Sequence, residues 1–338
     1  MSRKYNIAII GATGAVGQVL LDLIQERNFP YNSLHLCASI RSVGKKLIVN
    51  DTEFLVEEIT EELFNNLDFV FISANNEISK KIAPLASSKN CIVIDDSSVF
   101  RMDPKVPLIV PEVNSHALKN HEGIISIPNC STTPLAMILK PINNINPIKR
   151  VIVDTYQSVS GTGIAAINEL YEQSHQILEN LKPTISNYPH QIAFNLIPHI
   201  DNFQDNGYTN EEMKMINETR KILEIPELPI SATCVRVPVK IAHCESVNIE
   251  LSQPIEVNLV NDIFSKIEGV RILDNPLENL YPTPIEVEGK DEVLIGRIRK
   301  DISIKNGISL WIASDNLRKG AALNAIQIAE EIISKNYF

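Results

Sequence analysis

Residues 5–17 read YNIAIIGATGAVG, an isoleucine-rich run that passes directly into three glycines with the spacing G-x-x-G-x-x-G. Apolar residues then recur at helical spacing as far as Ile24, and residues 34–38 form the next apolar run. A strand, a glycine loop, an amphipathic helix and a second strand make up the first βαβ unit of a doubly wound sheet. This stretch therefore predicts an α/β protein with an N-terminal Rossmann-type domain.

The glycine loop predicts dinucleotide binding. A tight turn without side chains lets the backbone approach a pyrophosphate closely, and the following helix offers N–H donors at its N-terminus. A purely structural turn is the alternative, which the position between a strand and an amphipathic helix makes less favourable. We expect cofactor contacts from the loop residues Gly11, Thr13, Gly14, Ala15, Val16 and Gly17.

The segment after the second strand predicts NADP rather than NAD. An NAD site usually carries an acidic residue here for the ribose 2′-hydroxyl, and residues 38–46 contain none. Arg41, together with Ser39 or Ser42, is suited to bind the 2′-phosphate because a guanidinium matches phosphate geometry. The alternative is that these residues only solvate a surface loop.

The second half of the chain predicts an α+β domain with a mixed or antiparallel sheet, because strand-like runs outnumber alternating βα units there. Long β-rich runs cover residues 149–158 and 233–251, predicted strands cover residues 293–299 and 308–313, and predicted helices cover residues 163–181 and 209–223. Asn306-Gly307 is a good tight-turn pair between the last two strands.

The C-terminal residues predict a helix that returns to the first domain. An amphipathic stripe runs from Leu317 to Ile332, and either Asp315 or Asn316 is suited to cap it. The predicted NADP-binding domain therefore comprises residues 1–128 and 316–338, and the catalytic domain comprises residues 129–315.

Composition and charge narrow the class of protein. With 338 residues, 44% hydrophobic and 21% charged, the chain is typical of a soluble two-domain protein. A net charge of -10 argues against a nucleic-acid binder. Five cysteines without a C-x-x-C pair fit reduced thiols better than disulfides or a zinc ribbon. We expect a cytoplasmic protein without a signal peptide, a membrane span or a metal site.

One cysteine lies at a predicted strand-to-helix junction. The segment SIPNCSTTP, residues 126–134, places Cys130 before an apolar helix-like run, and Pro134 suits the first helical turn. The positive end of the helix dipole favours thiolate over thiol. A lone cysteine is more often a small buried residue. The nucleotide loop and a histidine candidate far downstream favour a nucleophile instead.

The chain resembles the aspartate-semialdehyde dehydrogenases from end to end. The segments that carry the resemblance are GATGAVG, CASIRS, SSVFR, IPNCSTTP, YQSVSGTG, NEEMKMINETRKIL, CVRVPVKIAHCESV and ASDNLRKGAALNAIQIAE. The resemblance implies a homodimeric enzyme that reduces L-aspartyl 4-phosphate to L-aspartate 4-semialdehyde with NADPH and releases phosphate. That reaction belongs to the biosynthesis of lysine, threonine, methionine and diaminopimelate.

The resemblance also implies three catalytic residues. Cys130 matches the nucleophile, whose thiolate would form an acyl thioester. His243 matches the acid–base residue, because an imidazole can move protons near neutral pH. Gln157 matches the glutamine that orients the substrate at the thiol. Without the resemblance, a glutamine in a loop rich in Ser and Gly would be interpreted as an ordinary turn residue.

The implied binding residues are mostly charged. Arg101 matches a phosphate-binding arginine, and Arg236 matches the arginine that holds the α-carboxylate. Glu211 and Lys214 match residues that contact the substrate ammonium and phosphate, although alone they would suggest an ordinary surface ion pair. The implied cofactor contacts beyond the glycine loop are Ser160, Gly161 and Asn316.

Two alternatives stay open at the level of the sequence. A related reductase could act on N-acetyl-γ-glutamyl phosphate, but that substrate has no ammonium group for Glu211 to pair with. A non-catalytic NADP-binding relative would need none of the residues Cys130, Gln157, Arg236 and His243.

Overall fold

The computed structural model describes residues 3–338. The described residues divide into two compact units: the first unit holds residues 3–129 and 321–338, and the second unit holds residues 130–320. The sequence analysis placed the domain boundaries at 128/129 and 315/316, and those bounds stay a prediction.

The first unit contains a seven-stranded sheet in the order β3-β4-β2-β1-β5-β6-β7. Its strands are β1 Tyr5–Ile10, β2 Tyr31–Cys37, β3 Lys46–Val49, β4 Thr52–Glu57, β5 Phe69–Ile72, β6 Ile92–Asp95 and β7 Ile124–Ser126. All neighbouring strands are parallel except the β3–β4 hairpin, which the sequence analysis did not predict. The predicted Rossmann-type sheet is confirmed.

Both faces of this sheet are buried, as expected for a doubly wound fold. Ile7 and Ile9 of β1 belong to one hydrophobic core, and Ala8 and Ile10 belong to the other. The helices of this part of the chain are α1 Ala15–Glu26, α2 Asn76–Ser88 and α3 Pro111–Asn114. Because successive residues of β1 face two different hydrophobic cores, both sets of positions are apolar and the strand is a continuous apolar run in the sequence.

The second unit contains a six-stranded mixed sheet in the order β11-β12-β13-β10-β8-β9. Its strands are β8 Ile148–Gln157, β9 Ile230–Arg236, β10 His243–Leu251, β11 Val270–Ile272, β12 Val293–Asp301 and β13 Gly307–Ser314. Its helices are α4 Thr132–Ile145, α5 Ile164–Leu178, α6 Asn210–Leu223, α7 Val257–Phe264 and α8 Pro284–Val287. The predicted mixed sheet is confirmed.

Two local predictions in this unit can be compared with the observed strands. The β-rich run 233–251 contains two strands, β9 and β10, because residues 237–242 leave the sheet between them. Asn306-Gly307 does not form a two-residue turn, since the loop spans residues 302–306 and Gly307 already opens β13. Asn306 instead binds the end of β10, accepting a hydrogen bond from the Leu251 N–H at 2.8 Å.

The C-terminal helix is α9 Leu323–Lys335, which lies in the first unit as predicted. Its apolar side joins the core around β1 through residues such as Ile328 and Ile332. Asp315 acts as a cap, but for the π-helical turn 318–322 that precedes α9: its Oδ1 accepts hydrogen bonds from the N–H groups of Leu317 and Arg318.

Candidate active site

Three predicted site residues lie side by side at one end of the sheet in the second unit. Gln157 is the last residue of β8, and it pairs with Arg236 at the end of β9 and with His243 at the start of β10. Residues paired in register point to the same face of a sheet. All three side chains are buried. Strand pairing therefore brings together residues from three distant segments.

Cys130 lies immediately before α4, as the sequence predicted. The thiol residue is partly buried, and Ser131 is the N-cap of the helix. Ser131 Oγ accepts a hydrogen bond of 2.7 Å from Gln157 Nε2. Gly320 packs against the cysteine, because a Cβ atom at that glycine would lie 3.0 Å from Cys130 Cβ. The junction that carries the thiol is thus tied to Gln157 and closely packed.

The protonation state of His243 follows from its hydrogen bonds. Its Nδ1 accepts a hydrogen bond of 3.0 Å from the Ser158 N–H, so the neutral ring carries its proton on Nε2. Burial lowers the pKa of His243 to about 3, and the nearby Arg236 charge adds to this effect. Nε2 is buried without a hydrogen-bond partner among residues 3–338. His243 is therefore a neutral hydrogen-bond donor at physiological pH.

Ser158 connects the histidine to the arginine. Its carbonyl oxygen accepts a hydrogen bond of 2.6 Å from Arg236 Nη1, while its N–H donates to His243. One peptide segment therefore fixes the positions of both side chains. The local motif YQSVSGTG indicates no such role for Ser158, since contact with two distant strands cannot be seen in a short segment.

Asn316 braces the turn next to His243. Its Oδ1 accepts hydrogen bonds from the Ala242 N–H at 2.9 Å, Ser160 Oγ at 3.0 Å and Ser158 Oγ at 3.2 Å. Ala242 has φ +79°, a conformation that L-residues rarely adopt. Asn316 and Ser160 were predicted as cofactor contacts, and that role stays a prediction. The structure gives both residues a part in holding the backbone beside the histidine.

Gly161 packs closely against the side-chain nitrogen atoms of Arg236 and His243. A Cβ atom there would lie 3.0 Å from Arg236 Nη1 and 3.2 Å from His243 Nε2. Such distances are tighter than ordinary van der Waals contact, so any side chain would displace one of these groups. This close approach explains a glycine at a position predicted as a cofactor contact.

The pair Glu211 and Lys214 belongs to the same cluster. Glu211 Oε1 accepts a hydrogen bond of 3.0 Å from Gln157 Nε2, and its Oε2 is 3.2 Å from Lys214 Nζ. Lys214 also donates to Asp201 Oδ2 at 2.8 Å. Burial lowers the pKa of Lys214, but the two carboxylates outweigh that effect and raise it overall. Glu211 and Lys214 are therefore more than an ordinary exposed surface ion pair.

A capping box fixes the start of α6 and hence the position of Glu211. Thr209 Oγ1 accepts a hydrogen bond from the Glu212 N–H at 3.3 Å, and Glu212 Oε2 accepts one from the Thr209 N–H at 2.7 Å. Glu212 also accepts from the Cys234 N–H of β9. The helix is therefore anchored to the sheet at the turn that carries Glu211. Asp201 and Glu212 were missed by the sequence analysis.

This cluster combines the groups that acyl transfer requires. A thiol stands at a helix N-terminus, where negative charge is favoured. A neutral imidazole offers an N–H to an oxygen that gains charge. Arg236 and Lys214 are suited to anionic groups, and the carboxylate of Glu211 is suited to a cationic group.

The glycine loop of the first unit fits a dinucleotide. Gly11 has φ +96°, and a Cβ atom there would overlap the Ser73 carbonyl oxygen. A Cβ atom at Gly17 would overlap the Gly11 carbonyl oxygen. Gly14 is the N-cap of α1, with Ala15 and Val16 in its first turn. The bare backbone at a helix N-terminus is the arrangement that holds a pyrophosphate.

The segment after β2 lies beside this loop. Residues 40–42 form a 3₁₀ turn in which Arg41 is exposed, as is Ser39 before it. Ser42 is buried, and its Oγ lies 3.5 Å from Thr13 Oγ1 of the glycine loop. An exposed guanidinium next to the loop is available to a phosphate group.

Arg101 lies in the first unit and is buried. Its Nη2 donates a hydrogen bond of 2.7 Å to the carbonyl oxygen of Asp96. The loop thus holds the guanidinium in place. Its role toward the phosphate of a substrate stays a prediction.

Three general features concern the part of the chain that the structure describes. Its five cysteines form no disulfide. Residues 3–338 contain no group of three metal-ligating side chains placed to hold an ion. None of the helices within that range has the length and apolar character needed to cross a bilayer.

Comparisons with known proteins agree along the whole chain. Residues 6–121 match the family model for the semialdehyde dehydrogenase NAD binding domain, and residues 139–319 match the model for the semialdehyde dehydrogenase dimerisation domain. The chain is similar to the aspartate-semialdehyde dehydrogenase of Rickettsia bellii, with 48% identity over 98% of this chain and 99% of the relative. The Bacillus subtilis enzyme of the same name is 46% identical over 99% of both chains.

A solved structure is similar over the same length. It is aspartate semialdehyde dehydrogenase II from Vibrio cholerae, described as complexed with ASA. The two chains share 44% identity, each is covered completely, and the TM-score is 0.96.

Proposed function

This chain belongs to the aspartate-semialdehyde dehydrogenase family, and from that premise we propose that it reduces L-aspartyl 4-phosphate to L-aspartate 4-semialdehyde with NADPH. One observation supports this proposal above all. Gln157 donates hydrogen bonds both to the residue after Cys130 and to Glu211, while it stands in register with Arg236 and His243. A thiol, an imidazole and three charged groups are thereby held around one amide.

The cofactor proposal rests on the first unit. The family model supports a nicotinamide dinucleotide, and the glycine cradle would hold its pyrophosphate. When bound, the nicotinamide supplies the hydride for the reduction. The exposed Arg41 and the absence of an acidic residue in 38–46 support NADP over NAD.

Substrate recognition would use the charged groups of the cluster. The guanidinium of Arg236 would bind the α-carboxylate, and the Glu211 carboxylate would bind the α-ammonium group. Lys214 would bind phosphate, and Arg101 is proposed for the same group. An N-acetylated substrate has no ammonium group for Glu211 to bind, which favours the aspartyl compound.

The chemistry would begin at Cys130. Its thiolate attacks the acyl carbon, an S–C bond forms, the C–O bond to phosphate breaks, and a thioester remains. The Nε2–H of His243 is suited to donate to the carbonyl oxygen as negative charge develops there. After reduction, the same donor stabilises the thiohemiacetal oxyanion, whose collapse returns the thiolate and releases the aldehyde.

We also propose a homodimer and a cytoplasmic location. The match to a dimerisation domain supports the dimer, as does a sheet face on which Tyr156 is 37% exposed and lies with its ring centroid 5.2 Å from that of Trp311. A catalytic thiol must stay reduced, which supports a reducing compartment. The reaction would serve the biosynthesis of lysine, threonine, methionine and diaminopimelate.

The test is phosphate-dependent reduction of NADP by aspartate semialdehyde. We expect turnover in the wild type and none in Cys130→Ala. The matched control is Cys91→Ala, because burial raises the pKa of that thiol to about 11 and it lies in the other unit. A folded wild type that binds NADP but does not turn over would refute the proposal, and N-acetyl-glutamate semialdehyde would then be tested.

A further inference from the structure

Glu245 is a buried carboxyl group that the proposed mechanism does not use. It lies on β10 two residues after His243, so both side chains point to the same face of the sheet. The residue is 1% exposed, and neither of its oxygens has a hydrogen-bond partner among residues 3–338. A buried charge without a partner is far more costly than a neutral acid.

The surroundings of Glu245 favour the neutral form. Burial raises the pKa of this carboxyl group well above its usual range. No Lys or Arg side chain forms an ion pair with Glu245 in the described part of the chain. Arg236 of β9 donates instead to the Ser158 carbonyl oxygen, and Lys214 of α6 binds Glu211 and Asp201. No nearby cation therefore offsets the cost of burying a charge at Glu245.

Further buried polar atoms with few or no partners lie on the same face. In the register of the sheet, Glu245 pairs with Thr155 of β8 and Ile312 of β13. Gln157 Oε1 in the next row is buried and has no hydrogen-bond partner in residues 3–338, and the buried Thr155 Oγ1 has none apart from the neighbouring Cys234 thiol. Buried polar groups in native proteins are nearly always hydrogen-bonded, if necessary through an internal water.

The orientation of Gln157 shows which kind of partner is needed. Its Nε2 donates to Ser131 Oγ and to a Glu211 oxygen, and a carboxylate can only accept. The carboxamide oxygen must therefore face the other way, and it requires a donor. Diagonal neighbours on adjacent strands, such as Gln157 and Glu245, are within reach of long side chains or of one bridging water.

We propose that Glu245 is held as a neutral carboxylic acid and is a positioning residue: together with Thr155, and through one buried water, it supplies the hydrogen bond that Gln157 Oε1 lacks. The acid thereby fixes the carboxamide whose amino group is bound to Ser131 beside Cys130. The consequence for substrate orientation rests on the function proposed above. The protonation state of Glu245 does not.

Infrared spectroscopy of the full-length protein tests the protonation state without any turnover. We expect the difference spectrum between the wild type and Glu245→Gln at neutral pH to show a protonated carboxylic acid C=O band that the variant lacks. A carboxylate band in its place would overturn the proposal. This result is independent of whether the substrate has been identified correctly.

Steady-state kinetics test the positioning role. Glu245→Leu removes the donor but keeps an apolar side chain of similar length, and we expect kcat to fall about tenfold while KM changes less. Glu245→Gln retains a neutral donor and should recover most of that loss. Val247→Ala, a buried control on the same strand, should lower thermal stability without a comparable loss of kcat.

Three outcomes would overturn the positioning role. They are equal losses of kcat in both Glu245 variants, an unchanged kcat in Glu245→Leu, and a kcat loss in Val247→Ala as large as that in Glu245→Leu. If Glu245→Leu does not fold, the Glu245→Gln kinetics and the infrared band still decide. An inactive wild type would refute the proposed function and leave the infrared result valid.

Discussion

Replacing Asn316 with alanine tests whether this residue braces the backbone at His243. The change removes one oxygen that accepts three hydrogen bonds. The two serine hydroxyls can rotate to other acceptors, because Ser158 Oγ lies 3.1 Å from His243 Nδ1 and 3.0 Å from Ser160 Oγ. The Ala242 N–H has no such freedom, so it would be left buried and unsatisfied.

The magnitude follows from that single N–H group. A buried unsatisfied donor costs about 1–3 kcal/mol, so we expect the free energy of unfolding to fall by ~2 kcal/mol. Ala242 would also lose the contact that holds it at φ +79°, and the imidazole that follows it would shift. A displacement of about 1 Å at a reacting group can lower the rate by roughly 10²-fold, so we expect a loss of kcat of that order.

The assay combines chemical unfolding with steady-state kinetics in the phosphate-dependent direction. Asn316→Asp is the matched control because it keeps an oxygen acceptor at the same position, and it should retain more stability than the alanine variant. If Asn316→Ala raised only the KM for the nucleotide and left kcat and stability unchanged, Asn316 would be a cofactor contact and the bracing role would be refuted.

Three further outcomes are expected. Arg41→Ala should lower the preference for NADP over NAD by about tenfold, measured as the ratio of kcat/KM values, because a guanidinium–phosphate pair is lost; an unchanged ratio would contradict the assignment. Gly161→Ala should lower kcat by more than about tenfold with normal thermal stability, since its Cβ would press on Arg236 and His243; full activity would show that both groups can yield. The pKa of His243 falls from 6.5 to about 3 on folding, so the unfolded chain binds the extra proton and stability is lost as pH falls through this window. Relative to His243→Gln, the wild type should lose up to ~1.4 kcal/mol per pH unit in chemical unfolding between these values, and parallel curves would refute the buried neutral state.

Local patterns were sufficient where neighbouring residues decide the structure. The run from β1 through the glycine loop into α1 was predicted because alternation, glycine spacing and helical periodicity all act over a few residues. The junction at Cys130 was predicted for the same reason. The start of α6 at Thr209 follows from a capping box that is visible in the sequence.

Local patterns failed where distant contacts decide. The β-rich run 233–251 is interrupted because Pro238 lacks an N–H for a ladder and Ala242 adopts a positive φ. That interruption gives the turn after β8 its partners, since Val159 and Ser160 donate hydrogen bonds to Val239 and Lys240 carbonyl oxygens. The β3–β4 hairpin was missed because it is largely exposed and lacks a strong apolar alternation.

The sequence by itself predicted the Rossmann-type unit, the mixed character of the second sheet and the strand-to-helix junction at Cys130, because the patterns that indicate them act over a few neighbouring residues. Only the tertiary structure decided that Gln157, Arg236 and His243 share one register row, since strand pairing is not encoded in any short segment. It also decided that Ser158 joins the histidine to the arginine and that Glu245 is buried with no charge partner among residues 3–338. Burial and hydrogen-bond satisfaction are properties of the packed chain, and they set the protonation states on which the chemistry depends.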